Sequence, residues 1–487
     1  MGTHKAIALG LIIYAALMLA VSLYWMRKVK KPADYLVGGR NLPFWVLAGN
    51  ITAGCIGTGV IIGASGLAYE HGWAGSAWPI GLGIGTIVAG WMFASMRRFK
   101  FMTLSEEIAS YYGGNRAVVE FSNITLFLSQ LCWLTVQIMG GASVIATVTG
   151  LSHGWSVLAA GLITASIAIP GGFKSVVYTD FLQCVILLIG FGVAAWSALS
   201  HTGGFTGLGE AVPLDYYSFL GMDSYGKRKL ISLMAALAIS IMADPGRRLS
   251  MYSARTESGA KWAMVAAGLI VIAFSVVVSV TGMYAFTLNP HLPDRDQAML
   301  WLVMNILPAW LAAFVVVSVA SGIFSCANSN AMSVSTFFVR HIFPLATGRY
   351  PQRSLLVARV SLAGAFVLCT LVALRAGTIV DFVSKFLPVV MSGLAIVVVL
   401  GRFWPRSTWQ GAMTALTVTP VVSLAAIFSK SRLDNAVILL APGFIGHVVV
   451  SLLTPPNTRP AEDVAVSLAR ERAHIEGEPE AKIGATP

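Results

Sequence analysis

LAGNITAGCIGTGVIIGASGLA, residues 47–68, is long enough to cross a bilayer but ill suited to one straight helix. Six glycines (Gly49, Gly54, Gly57, Gly59, Gly63, Gly66) fall in this stretch, with Asn50, Thr52, Cys55 and Thr58 between them. Each glycine weakens a helix interior by roughly 1 kcal/mol relative to alanine. In hydrocarbon, freed backbone groups persist only where they line a cavity or are buried in protein. A helix broken at mid-membrane has a use: its carbonyls can coordinate a cation while its half-helix ends hold a solute. The stretch therefore reads as a transport site. The other reading is a helix whose small residues permit close helix contacts.

The rest of the chain sets this stretch among many of its kind. Its 487 residues are 56% hydrophobic and only 11% charged, with mean hydropathy +0.76, which excludes an ordinary soluble globular protein. Hydrophobic stretches of roughly the 20 residues needed to span a bilayer recur. They fall near 6–26, 44–69, 73–95, 117–147, 155–170, 176–199, 229–243, 259–287, 309–337, 355–374, 378–401, 408–428 and 434–454. The fold class expected is an all-α polytopic membrane protein of about 13 transmembrane helices, with 298–308 as a candidate surface helix.

The net charge of +12 follows the same plan. With the N-terminus outside and the C-terminus inside, most basic residues fall on the inner side, among them Arg27, Arg97, Arg247, Arg340 and Arg472. This is the positive-inside asymmetry, so the charge reports topology and nucleic acid is not implied as a partner. The first stretch lacks a cleavage site and reads as a retained helix. All five cysteines lie within hydrophobic stretches, without metal-binding spacing. Residues 455–487 read as a solvated cytoplasmic tail with a short amphipathic helix at 461–474, following one transport domain at 1–454. The bilayer and a small-molecule solute are the partners expected; no obligate protein partner is evident.

Two blocks of five spans, about 44–199 and 229–402, would run in opposite orientations because five is odd. That is the layout of inverted repeats, with the site where the halves meet. The first span of each block is interrupted: one by glycines, the other by Asp244-Pro245-Gly246 after only about fourteen apolar residues.

Candidate site residues follow from that layout. Ser318, Ser321, Ser325 and Asn328 fall at i, i+3, i+7 and i+10, one helical face that suits either a hard cation or helix contacts. Ionisable residues within spans are few. Asp180 is expected near the inner end of a cation path without direct coordination. Asp381 and Lys385 are spaced to pair, and His447 reads as a hydrogen-bonded residue. Cys55, Gly57, Thr58 and Gly59 of the broken span, with Gln137 and Ser240, are the expected solute lining; for Gln137 a helix-to-helix hydrogen bond is an equal reading. No nucleophile–base or His/Asp/Glu pattern suggests an enzyme.

Several runs resemble the sodium:solute symporter family. Asp34 to Trp45 (DYLVGGRNLPFW) is similar to the approach to its first core helix, and Met102 to Ile108 (MTLSEEI) to its inner connecting helix. Gly171-Gly172-Phe173-Lys174-Ser175 with Tyr178-Thr179-Asp180-Phe181-Leu182-Gln183 resembles its most specific signature, and Arg248 to Arg255 (RLSMYSAR) its loop after the short helix. The resemblance implies inverted five-helix repeats of the leucine-transporter type, plus one N-terminal and two C-terminal helices. It implies secondary active uptake coupled to a sodium ion, in the inner membrane of a bacterial cell. Carbonyls of Ala53 and Ile56 and groups of Ser318 and Ser321 would hold the ion, with Asp180 close by.

Where the family has two adjacent hydroxyl residues, this chain has Ser321-Gly322, a departure that Ser318 can offset. It keeps a proton-coupled or uncoupled carrier, or a solute sensor, as alternatives on the same fold. Sugar-carrying members have Asn, Glu and Gln where this chain has Cys55, Gly59 and Val60, and unmet polar groups in a buried site are costly. A small carboxylate or amino acid is the expected solute.

Overall fold

The computed structural model describes residues 3–29, 31–376, 393–428, 436–457 and 460–476. Among these the regular elements are helices, with one isolated bridge between Leu42 and Ala254. The first half comprises α1 (Thr3–Met26), α2 (Phe44–Cys55), α3 (Ser65–His71), α4 (Ala77–Phe93), α5 (Leu104–Tyr111), α6 (Arg116–Thr149) and α7 (His153–Thr202). The second comprises α8 (Lys227–Met242), α9 (Pro245–Tyr252), α10 (Glu257–Leu288), α11 (Ala309–Phe337) and α12 (Ser354–Arg375). Then come α13 (Gly393–Phe403), α14 (Trp409–Phe428), α15 (Ala436–Leu453) and α16 (Ala461–Glu476).

Among the described residues, seven helical runs are long and apolar enough to cross a membrane, and the bent pair α8–α9 makes an eighth. α2, α13 and part of α15 are apolar but shorter. Within the predicted stretch 378–401, residues 378–392, with Asp381 and Lys385, lie outside the described residues. The stretches 155–170 and 176–199 are the two arms of α7. They part at Gly172, which follows Pro170 and has φ 63° and ψ −162°. That backbone belongs to glycine alone, and a Cβ there would lie 2.4 Å from the Tyr35 ring.

Local signals explain the helix ends. Asn115 caps α6, its Oδ1 accepting from the backbone of Ala117 (3.0 Å) and Val118 (3.3 Å). Gly150, left-handed at φ 69°, stops the helix. Asp244 caps α9 in the same way, and α8 and α9 meet at 45°. α11 lies at the centre, buried from Ala312 to Phe337 with few interruptions, against α1, α6, α7 and α12.

The tail is not simply solvated. α16 covers the predicted 461–474 helix, but Val464, Ala465 and Arg472 are buried where it docks on α5. The cause is charge. Glu106 on α5, fully buried, accepts from Arg340 Nε (2.5 Å) and Arg472 Nη1 (2.8 Å). Burial alone would raise the Glu106 pKa, but Arg472 and Arg340 outweigh it and hold it at about 2.

Candidate functional site

The glycine-rich span is broken. α2 ends at Cys55, Ile56 leaves helical geometry (φ −99°, ψ 69°), and a π-helical turn over Gly59–Ala64 leads into α3. The break needs an acceptor for its freed N–H groups, and Gln137 of α6 supplies one. Its Oε1 accepts from both Thr58 N (3.0 Å) and Thr58 Oγ1 (2.7 Å). Two glycines make room. A Cβ on Gly57 would lie 2.5 Å from Cys326 Sγ, and one on Gly140 would lie 2.2 Å from Thr58 Oγ1. Gly140→Ala is therefore expected to push Thr58 off Gln137 and cut uptake by about tenfold, the effect of losing roughly 1.4 kcal/mol. Uptake by equal amounts of reconstituted protein measures this, and normal uptake refutes it.

On the other side of the break, the carbonyls of α2 meet α11. Ser325 Oγ lies between Gly322 O of its own helix (2.9 Å) and Ala53 O (3.3 Å), its hydrogen shared between them, and Cys326 Sγ donates to Gly54 O (2.8 Å). Gly322 is so near that a Cβ there would lie 2.8 Å from Ile56 O. The position lacking the family hydroxyl thus faces a carbonyl named as an ion ligand. Ser318 is turned elsewhere: its hydroxyl donates to Ile186 O (3.0 Å) and Phe314 O (2.9 Å) and sits against Gly190 of α7. Ser321 Oγ donates to Ser318 O (3.0 Å). The serine reaching the break is Ser325, one turn beyond Ser321, with Cys326 beside it.

Asp180 lies one turn further along both helices. Its Oδ2 accepts from Asn50 Nδ2 of α2 (2.8 Å) and Ser329 Oγ of α11 (2.8 Å). Asn50 Oδ1 in turn accepts from Ser250 Oγ of α9 (2.7 Å). Asp180 Oδ1 is buried with no hydrogen-bond partner among the described residues. A buried carboxylate oxygen with that much capacity left suits a nearby cation. His447 accepts the hydrogen-bonded reading: its Nε2 is 2.7 Å from Ser407 Oγ.

A cavity opens beside the break, enclosing about 570 Å³ of empty space with its mouth included. Of the residues expected to line a solute site, Cys55, Gly57, Gly59, Gln137 and Ser240 border this cavity; Thr58 does not, being held on Gln137. Trp78, Trp133, Asn330, Asp244 and Arg247 also line it and were not among the sequence candidates. By sequence Arg247 falls with the inner-loop charges, but the α8–α9 bend brings it to the cavity.

A helix broken within its span, carbonyls turned to a hydroxyl-bearing neighbour and a cavity alongside are the arrangement expected of a membrane transporter. The comparisons with known proteins agree. Residues 35–419 match the family model described as Sodium:solute symporter family, and the chain belongs to that family. It is a sodium-coupled membrane transporter, not an enzyme.

Two curated relatives are alike over nearly their whole length. The sodium/pantothenate symporter of Escherichia coli (strain K12) is 23% identical, over 85% of this chain and 89% of its own. The sodium/glucose cotransporter of Vibrio parahaemolyticus is 24% identical, over 93% and 92%. The fold is that of a Na⁺-coupled sialic acid symporter solved in a substrate-bound outward-open state, with TM-score 0.78, 16% identity, and 93% and 98% of the two chains covered. A nucleobase-cation-symport-1 family transporter matches less closely, with TM-score 0.55, 13% identity, and 90% and 96% covered.

Proposed function

We propose that this chain takes up a small organic solute, a carboxylate or amino acid rather than a sugar, together with sodium by alternating access. Residues 1–454 form the transport domain, with thirteen crossings and inverted repeats over about 44–199 and 229–402. It lies in the cell's inner membrane, the N-terminus outside and the 455–487 tail cytoplasmic. One observation carries the reading: the break at Ile56 aims the Ala53 carbonyl at Ser325 directly beside a cavity lined by Cys55, Gly57, Gly59, Gln137 and Ser240.

Sodium would sit at the Ala53 and Ile56 carbonyls, completed by oxygens of Ser321 and Ser325 on α11, with Asp180 one turn away and Ser318 left on α7. A solute would lie against the half-helix ends and Gln137. The wall offers few groups to match the many hydroxyls of a sugar, and each unmet one is costly. One sodium ion moving down about 100 mV releases about 2.3 kcal/mol, and a tenfold gradient adds about 1.4 kcal/mol. For a zwitterionic amino acid these together sustain a solute ratio of roughly several hundredfold. A carboxylate moving with one sodium carries no net charge and gains only the roughly tenfold of the gradient.

Uptake of radiolabelled acids, amino acids and sugars into proteoliposomes, with and without a sodium gradient, tests the reading. Sodium-dependent uptake of acids or amino acids is expected; uptake that ignores sodium and follows a pH gradient would replace it with the proton-coupled alternative. Ser325→Ala is expected to raise the sodium concentration for half-maximal uptake by about tenfold, since bonds to a charged partner are worth about 1.5–3 kcal/mol. Ser321→Ala should also weaken sodium-stimulated uptake. An unchanged sodium dependence in either variant rejects that residue as a ligand.

A further inference from the structure

The cavity wall carries an arginine and an aspartate three residues apart, and the local fold dictates how they sit. Asp244 ends the short helix α8 and caps α9, its Oδ1 accepting from Arg247 N (2.9 Å). Its other oxygen accepts from Arg247 Nη1 (3.0 Å). Arg247 Nη2 donates to Gly54 O, across the break in the other repeat. The guanidinium is thus fixed at both ends, on the α8–α9 bend and on the broken span, and is only 11% exposed.

A guanidinium has five N–H donors in a rigid planar fork. These oxygens take two of them. The group borders a cavity whose wall is largely apolar, with Trp78, Trp133, Leu82 and Leu237, beside the polar Gln137, Ser240 and Asn330, a setting in which charge-assisted bonds are stronger than in water. The fork matches the planar geometry of a carboxylate, which it can hold by two parallel bonds.

The charge balance supports the same ligand. Asp244 neutralises Arg247, so the pair alone attracts no anion strongly. The ion proposed at the Ala53 and Ile56 carbonyls supplies the missing positive charge, because Gly54, between them in sequence, is the residue whose carbonyl Arg247 holds. With the Asp180 carboxylate on Asn50 of the same span counted, the site without sodium is net negative and repels an anion; sodium brings it to neutrality and removes that repulsion.

We propose that Arg247 is the carboxylate anchor of the solute site, poised by Asp244 and by the Gly54 carbonyl so that an acid binds well only when sodium is bound beside it. The proposal rests on the carrier reading above and names the residue that gives it charge selectivity. A purely structural strut predicts something else: loss of Arg247 would slow transport of every solute without changing which charge is accepted.

The test is thermal stabilisation of the purified full-length protein in detergent. Its probes are sodium chloride alone, then sodium with acetate, propionate, pyruvate, lactate, alanine or proline at up to 50 mM. Each acid is paired with its amide or alcohol analogue. Stabilisation by sodium alone is expected, increased by at least one acid or amino acid and not by its uncharged analogue, and with potassium replacing sodium the acid should lose at least tenfold in apparent affinity. The amine-bearing members separate an amino acid from a simple organic acid.

Arg247→Gln should keep the sodium response and weaken the acid response at least a hundredfold, with Arg247→Lys between the two. If Arg247→Gln does not fold because Asp244 is left alone, Arg247→Gln with Asp244→Asn removes both charges and carries the same expectation. An unaltered acid response in these variants overturns the anchor. So does a sodium response with no response to any acid, which leaves the carrier reading standing; the lack of any sodium response sinks that reading instead.

Discussion

Glu106→Gln is expected to destabilise the protein by about 3–5 kcal/mol, the usual result of removing one partner from a buried charge cluster. Glu106 Oε1 takes Arg340 Nε, while Oε2 takes Arg472 Nη1 and the Met102 N–H (2.8 Å). However a glutamine amide is turned, its NH₂ faces an arginine donor. Both arginines then stay buried with part of their charge uncompensated, although Glu471 still accepts from Arg340 Nη2 (3.0 Å).

Heating detergent-solubilised protein and following the monodisperse fraction by size exclusion measures the loss. Adding Arg472→Gln to Glu106→Gln should recover part of it, because one stranded charge goes too. The pH dependence has a definite sign. A carboxyl held at about 2 in the fold, against an ordinary 4.5, contributes stability that is fully present above 4.5 and lost as pH falls towards 2. The wild type should lose this contribution in acid, and Glu106→Gln should show no such loss. Equal stability of the two at neutral pH would show that the cluster does not hold the tail helix.

The broken span was legible because glycine density and interleaved polar residues act locally, wherever the span sits. The Asp244-Pro245-Gly246 stop was legible for the same reason. Choosing among the α11 hydroxyls was not. Spacing puts Ser318, Ser321 and Ser325 on one face, but α11 is buried on almost every side, so periodicity cannot say which neighbour that face meets. The structure turns Ser318 to α7 and Ser325 to α2, because both helices pack against α11 and its hydroxyls fall between them. Arg247 escaped notice because an arginine after a helix stop reads as a loop charge; only the bend angle turns it inward. The tail's docking depends on Glu106, more than 350 residues away in sequence, and no local pattern reports such a partner.

Asp180→Asn is expected to raise the sodium requirement of uptake by thirtyfold or more while leaving the fold intact, and the reason lies in how its two oxygens differ. Oδ2 is held by Asn50 and Ser329, two neutral donors. An asparagine oxygen can accept both bonds, so the junction of α2, α7 and α11 should survive. Oδ1 has no partner among the described residues, and there the asparagine NH₂ replaces a negative charge. Two neutral bonds do not offset the several kcal/mol that burying a carboxylate costs. A cation at the Ala53 carbonyl, one helical turn or about 5.4 Å away, gains about 2–3 kcal/mol from that charge at an effective dielectric near 20. At 1.4 kcal/mol per tenfold, this corresponds to thirtyfold or more in sodium affinity. Uptake as a function of sodium concentration, with thermal stability measured in parallel, separates the ion effect from a folding defect. A variant with wild-type sodium dependence would mean that Asp180 serves only to tie Asn50 to Ser329. A variant that loses sodium affinity but melts like the wild type would place its charge on the path of the ion.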